Sequence, residues 1–377
     1  MKALIAAYAR TPFHFAKKGA LAQTRPDDLA AQAVRGLLAR TGVAGAEIED
    51  VILGCAYPEA AQGNNLARIV GLLAGLPHSV PGMTVNRFCG SSMQAVHIAA
   101  ANLEAGIGEA YLCVGVESMT FVPQGGFNFS PHPALQADTE AYISMGDTAE
   151  NVAQRWEVSR ADQEAFALAS HRKAAAARAD GLLRDEIVPV LNAAGETVAE
   201  DGCIRPGTTL EALASLKPVF RPDGVVTAGT SSPLTDGASV VLVCTEDFAR
   251  RHGIEPLARV VSFASVGVDP AVMGIGPVPA TQLALKRAGL SVDQIDVVEL
   301  NEAFSSQALA CIRDLGLDPE RVNLDGGGLA IGHPLGATGA RITGKAAALL
   351  QRTGGRYAVA TQCIGGGQGI ATVLERV

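Results

Sequence analysis

The chain has 377 residues, enough for two or three domains around a large core. Its net charge of -8 leaves no basic footprint for nucleic acid, so an anionic ligand has to be held by local Arg and Lys. Charged residues make up 18% and glycines number 42, which indicates extensive burial, a subunit interface included, and many tight turns and close backbone approaches.

Taken in order, the chain opens with a predicted strand, Ala3–Tyr8, a polar turn through Arg10-Thr11-Pro12, and a helix from Asp27 or Asp28. Leu29, Ala33 and Leu37 recur every four residues on the inward face of that helix. A loop leads to a second apolar strand near Val51–Leu53, then a helical stretch over Asn64–Leu76 and a strand at Met83–Val85. A helix begins after Cys89, with Met93, Val96, Ala100 and Leu103 at helical spacing, and a strand follows at Tyr111–Val116. The stretch 117–233 fits no repeat and reads as an insertion, with a loop-like Pro123–Pro133 and a helix at Asp162–Ala179. The first half, 1–116, resumes over 234–253 with the strand Ser239–Cys244, and a second half spans 254–377.

The halves are related. The run Leu37-Leu38-Ala39-Arg40-Thr41-Gly42-Val43, followed by Ile48–Ile52, recurs as Leu283–Leu290 followed by Ile295–Val298. The second half continues with a predicted strand Arg321–Leu324, a glycine-rich turn, His333, a helix Thr338–Leu350 and a strand Tyr357–Gln362. Alternating strands and helices predict an α/β chain with a mostly parallel sheet covered on both faces. An internal pseudo-dyad would set equivalent turns of the two halves face to face.

Cys89 lies at a strand-to-helix joint, where free N–H groups and the helix dipole favour thiolate and would move its pKa below about 8.5. An inert core cysteine fits that stretch equally well, and what decides is whether the chain supplies a base, an acid and an oxyanion site. His333, within Gly332-His333-Pro334-Leu335-Gly336, projects from a turn rather than a core face. Cys363 ends a strand and precedes Gly365-Gly366-Gly367, whose backbone N–H groups are free to meet an anion. Asn301, the repeat partner of the Cys55 region, leaves a strand end with a carboxamide able to hold a water. The run Gly339–Lys345 approaches a P-loop but Ala346 replaces the Ser or Thr, and no Cys/His spacing suggests a metal.

Seven cysteines without a C-x-x-C pair point to a reducing compartment. No apolar run approaches a membrane span or a signal sequence, and Glu375-Arg376-Val377 is no peroxisomal address, so a soluble cytoplasmic protein is expected.

Asn86-Arg87-Phe88-Cys89-Gly90-Ser91-Ser92-Met93, Gly115-Val116-Glu117-Ser118-Met119, Asn301-Glu302-Ala303-Phe304, Gly332–Gly336 and Cys363-Ile364-Gly365-Gly366-Gly367, in this order, resemble the thiolases (acetyl-CoA acyltransferases). Cys89–Gln94 and Thr227–Ser232 most resemble the degradative 3-ketoacyl-CoA thiolase subunit of bacterial fatty-acid oxidation complexes. Two positions depart: Ser92 stands where Gly is common and Asp325 where Asn is frequent. The resemblance implies two pseudo-dyad-related βαβαβαββ halves packed as a layered α/β sandwich, with the insertion as a loop domain that binds CoA. It implies Cys89 as nucleophile, His333 as base, Cys363 as acid, and oxyanion sites from Asn301 and from the N–H groups of Cys89 and Gly365. Ser232, Arg205 and Phe220 match CoA contacts, and Met145, Met273 and Phe304 match the acyl pocket, with core packing an alternative for the methionines. The implied activity is thiolytic cleavage of 3-ketoacyl-CoA, with CoA as co-substrate, acetyl-CoA as product and no permanent cofactor. Acetoacetyl-CoA synthesis and a noncatalytic CoA-binding scaffold are the alternatives. A homodimer or dimer of dimers is implied, and a multifunctional fatty-acid oxidation partner subunit is left open.

Overall fold

The structure is a computed structural model that describes residues 1–138 and 140–377. The chain begins with β1 (Leu4–Arg10), β2 (His14–Phe15), α1 (Pro26–Thr41), β3 (Asp50–Gly54), α2 (Leu66–Leu73), β4 (Gly82–Val85), α3 (Ser91–Glu104) and β5 (Ala110–Ser118). Off the main sheet come α4 (Pro133–Asp138), α5 (Met145–Arg155), α6 (Arg160–Ala179), the ribbon β6 (Val190–Leu191) and β7 (Thr197–Val198), and α7 (Leu210–Ala214). β8 (Thr235–Cys244) returns to the sheet and α8 (Glu246–Arg251) follows. Then come β9 (Ala258–Gly267), α9 (Pro277–Ala288), β10 (Val297–Leu300), α10 (Ser305–Leu315), α11 (Gly328–Ile331), α12 (Leu335–Thr353), β11 (Tyr357–Ile364) and β12 (Gln368–Arg376).

The sequence repeat is a structural repeat. Helices α1 and α9 both carry proline in their first turn, where its fixed φ suits a helix start. Both stop on a left-handed glycine, Gly42 (φ 69°) and Gly289 (φ 68°), before a short turn and the strands β3 and β10. In the sheet order, β10-β11-β12-β9-β1-β8-β5-β3-β4, the run β10-β11-β12-β9 repeats β3-β5-β8-β1, β4 has no strand counterpart in the second half, and the halves meet through the pairs Leu4–Arg259 and Ile5–Ala258. Helices α1 and α2 cover one outer face, α9 and α10 the other, and α3 with α12 fill the layer between. Gly339 allows the inner helices to close, since a Cβ there would lie 2.3 Å from the Met93 nitrogen. Ser92, one of the two departing residues, joins the same helices by accepting the Ala340 N–H at 2.8 Å.

Three expectations are corrected. The sheet is mixed: β3–β4, β3–β5 and β10–β11 are parallel, but β8 returns antiparallel beside β5 and β12 folds back on β11 through the glycine turn. The expected strand Arg321–Leu324 is a single bridge, Val322 to Val298. Asn323 turns into the left-handed region (φ 49°), and its carboxamide bonds both the N–H (2.9 Å) and the C=O (2.8 Å) of Leu300, taking the place of backbone ladder bonds. The helical stretch from Asn64 also starts later, at Leu66, because Asn64 and Asn65 have φ of 56° and 50°.

A buried chain of ion pairs fastens the segment between β5 and β8 to this frame. Asp201 pairs with Arg10 (2.7 Å), Arg10 with Glu186 (2.7 Å), Glu186 with Lys345 (2.8 Å), Lys345 with Asp325 (2.6 Å), and Asp325 with Arg352 (2.6 Å). Asp325, the second departing residue, thus neutralises two cations on α12. Burial alone would raise the Glu186 pKa, but Lys345 and Arg10 outweigh it and hold it at about 2. Lys345→Met takes one of two cationic partners from each of the buried carboxylates Glu186 and Asp325, which keep Arg10 and Arg352, and should cost about 3 kcal/mol at pH 7, the low end of the scale for breaking a buried pair. Because the folded pKa of Glu186 is depressed, its contribution is present above the unfolded value of about 4.3 and is lost as pH falls toward 2. Urea unfolding midpoints at pH 7 and pH 3 should therefore show the difference from wild type shrinking with acid; equal midpoints at pH 7 would refute the role.

Candidate active site

Cys89 follows β4 and precedes α3, in a turn fixed by side chains. The Arg87 N–H donates to Ser91 Oγ (2.9 Å), Ser91 Oγ–H donates to the Phe88 carbonyl (2.6 Å), and Asn86 Oδ1 accepts the Phe88 N–H (2.8 Å). Cys89 is half-buried, whereas the other six cysteines are buried. The expected low thiol pKa is not found: burial, reinforced by the Glu117 charge, pushes it up to about 11, against the N–H groups of Gly365 and Cys89 itself, which point at the sulfur. A helix start offers partial charge, but loss of water around the sulfur is the larger effect.

From the second half, His333 sits between α11 and α12 with its N–H on Thr235 Oγ1 (3.0 Å). Its Nδ1 lies 2.6 Å from Thr338 Oγ1, whose hydroxyl hydrogen is directed to the Pro334 carbonyl (3.3 Å). That assigns Nδ1 as donor and leaves the lone pair on Nε2. Burial and then the Arg341 charge push the imidazole down to about 3, so it is neutral at pH 7. Asn301 Nδ2 is 3.3 Å from Nε2, while its buried Oδ1 has no hydrogen-bond partner, which fits a water-binding role.

Cys363, near the end of β11, lies within electrostatic reach of Cys89: burial and then the Cys89 charge raise its pKa well above the ordinary range. The neighbouring Gln362 carboxamide donates to the Cys89 carbonyl. Leu335, two residues past His333, packs with Cys89, Ala56, Tyr57 and Met119. The structure thus gathers Cys89, His333, Asn301, Cys363 and Gly365 from loops at the ends of both halves.

Three features at the site escaped the sequence reading. Thr338, five residues past His333, fixes the ring. Glu117 is fully buried and accepts the N–H groups of Ala56 (2.8 Å), Tyr57 (3.2 Å) and Gly336 (2.9 Å) and the Gln62 amide (2.8 Å). Burial raises its pKa against those bonds. The third is Tyr57, whose pKa is raised to about 12 by burial and then by the Cys89 charge.

Met145, Met273 and Phe304 share one apolar cluster with Cys363, and the Phe220 ring meets Phe304 edge-on at 6.1 Å. The Ser232 N–H reaches the Ala303 carbonyl at 2.9 Å, beside that cluster. Arg205 is not brought there: its guanidinium lies over Phe15 at 4.9 Å and its N–H meets His171 at 3.2 Å.

Residues 3–247 match the family model of the thiolase N-terminal domain, and residues 254–376 that of the thiolase C-terminal domain. The chain belongs to the thiolase family. This thiolase is 47% identical to the 3-ketoacyl-CoA thiolase of Bacillus subtilis, with 99% of each chain covered. It is 50% identical to the 3-ketoacyl-CoA thiolase of Escherichia coli, covering 98% of this chain and 97% of that one. The crystal structure of human mitochondrial 3-ketoacyl-CoA thiolase in complex with CoA superposes with a TM-score of 0.91 at 39% identity, over 100% of this chain and 98% of that one. Among the described residues, no group of three or more His, Cys, Asp or Glu could hold a metal, and no helix is long and apolar enough to cross a membrane.

A neutral thiol in the free protein has a direct consequence. Alkylation of Cys89 by iodoacetamide should accelerate about tenfold per unit between pH 7 and pH 9, because thiolate is a minor species throughout. A rate that levels off below pH 8 would show a thiolate already formed.

Proposed function

We propose that this thiolase cleaves 3-ketoacyl-CoA with CoA, giving acetyl-CoA and a shortened acyl-CoA through an acyl-Cys89 intermediate. The observation that carries the reading is the pair of neighbouring thiols, one met by two N–H donors and the other held protonated by burial. Cys89 attacks the 3-keto carbon while its proton passes to His333 Nε2, and the alkoxide that forms is held by the N–H groups of Cys89 and Gly365. Collapse breaks the bond between C2 and C3. The departing enolate oxygen is held by the protonated His333 and a water on Asn301, and Cys363 gives its proton to C2, releasing acetyl-CoA. The thiol of CoA then returns a proton to Cys363 and attacks acyl-Cys89, and His333 reprotonates the freed Cys89. Burial suits both proton carriers: a high-pKa Cys363 keeps its proton until a carbanion forms, and a neutral His333 has a free lone pair.

In the same reading, the insertion 117–233 holds CoA, with Phe220 and Ser232 beside the acyl cluster of Met145, Met273 and Phe304. Arg205 is exposed, as a contact for the charged end of CoA would be. A homodimer is supported by the exposed edge strand β4, with Met83, Leu72 and Leu73 at the surface.

Cys363→Ala separates the half-reactions. Acyl exchange between thioesters needs Cys89 and its base, whereas carbon–carbon cleavage also needs a proton delivered to C2. The variant should lose thiolysis by orders of magnitude and still acylate Cys89 when measured side by side. Equal loss of both activities would make Cys363 structural.

A further inference from the structure

Seven described non-glycine residues have positive φ, and Phe88, at φ 43°, is the aromatic one among them. A bulky side chain in that region is unfavourable and persists where its surroundings over-determine it. Here they do. Asn86 Oδ1 holds the Phe88 N–H, Ser91 N–H (3.1 Å) and Ser91 Oγ–H (2.6 Å) hold its carbonyl, and Asn86 is itself anchored by donating to the Ala56 carbonyl (3.0 Å). Arg87 is tied to Gln94 (2.9 Å) and Gln368 (3.0 Å), so the residue on the other side cannot relax the turn.

The strained turn places an aromatic ring, 37% exposed, beside the nucleophile. That ring lies 6.0 Å from the Tyr57 ring, tilted by 47°. It also lies over the glycine turn: a Cβ built on Gly365 would be 3.9 Å from Phe88 Cδ2, and one on Gly366 4.0 Å from Cε2. Met145 Sδ flanks the same Gly365 position at 3.4 Å. Gly365, whose N–H points at the Cys89 sulfur, is therefore the floor of a slot walled by Phe88 and Met145. An acyl group bonded to Cys89 with its oxygen on that N–H would lie beside this slot.

We propose that Phe88 is a specificity-determining residue: its ring is the apolar wall against which the acyl chain lies, favouring longer 3-ketoacyl substrates over four-carbon ones. This rests on the acyl-Cys89 reading above. A four-carbon substrate leaves only a two-carbon acyl group on Cys89 and gains little from the wall, whereas each further methylene placed against it is removed from water.

The test measures kcat/KM for acetoacetyl-CoA and 3-ketodecanoyl-CoA with wild type, Phe88→Ala and Phe88→Leu. The ratio of long to short substrate should fall about tenfold in Phe88→Ala, the scale for uncovering two methylenes, and recover most of that in Phe88→Leu. Should Phe88→Ala fail to fold, Phe88→Leu still has to lower the ratio by a few-fold. An unchanged or increased ratio overturns the proposal, and an unchanged ratio with a shift in sedimentation assigns the ring to a contact between copies instead. Wild type that cleaves neither substrate overturns the functional reading and this inference with it, a result distinguishable from an unchanged ratio in an active enzyme.

Discussion

The site depends on one buried carboxylate. Glu117 ends β5 and takes N–H groups from Ala56 and Tyr57 in the first half and from Gly336 at the start of α12 in the second. His333 lies three residues before Gly336, so the acceptor that shapes the loop before the nucleophile also fixes the end of the helix behind the base. The packing permits no slack: a Cβ on Gly336 would sit 2.5 Å from the Val116 carbonyl oxygen and 2.8 Å from that of Gly54. Taking a carboxylate out of water is costly, and the four donors around Glu117 offset that cost only in this arrangement. The two halves are thereby held in one register, and the ends of α3 and α12 meet.

The same withdrawal from water sets the electrostatics. It lifts both thiols and lowers the imidazole, leaving Cys89, Cys363 and His333 uncharged before substrate arrives. In the proposed reaction, charge would be stabilised where it develops, at the N–H groups of Gly365 and Cys89 and at the Asn301–His333 pair, donors already in place in the free protein. A thiolate favoured in the free protein would be a weaker nucleophile and an open target for oxidation. In the proposed reaction, deprotonation of Cys89 is thereby coupled to attack.

Much of this was legible in the sequence because the decisive features are local. The apolar strand before Cys89, the helical spacing after it, and the prolines and glycines around His333 and Cys363 each act within a few residues. The repeat was legible because α1 and α9 end by the same glycine chemistry. What the sequence hid was tertiary. Glu117 finds partners 55 to 61 positions before it and 219 after it. Asn323 replaces a strand by bonding Leu300 through its side chain, which no alternation of apolar residues signals. The Cys89 pKa is not legible in the sequence, because a helix terminus is visible there whereas burial of the sulfur is a property of the folded site.

In the proposed reaction Cys89 carries the acyl group. Incubating the protein with an acyl-CoA in the absence of free CoA, followed by peptide mapping by mass spectrometry, tests it most directly. The peptide containing Cys89 should gain the mass of the acyl group and lose it when CoA is added back. An adduct on another cysteine, or none on a protein that turns over 3-ketoacyl-CoA, would contradict it.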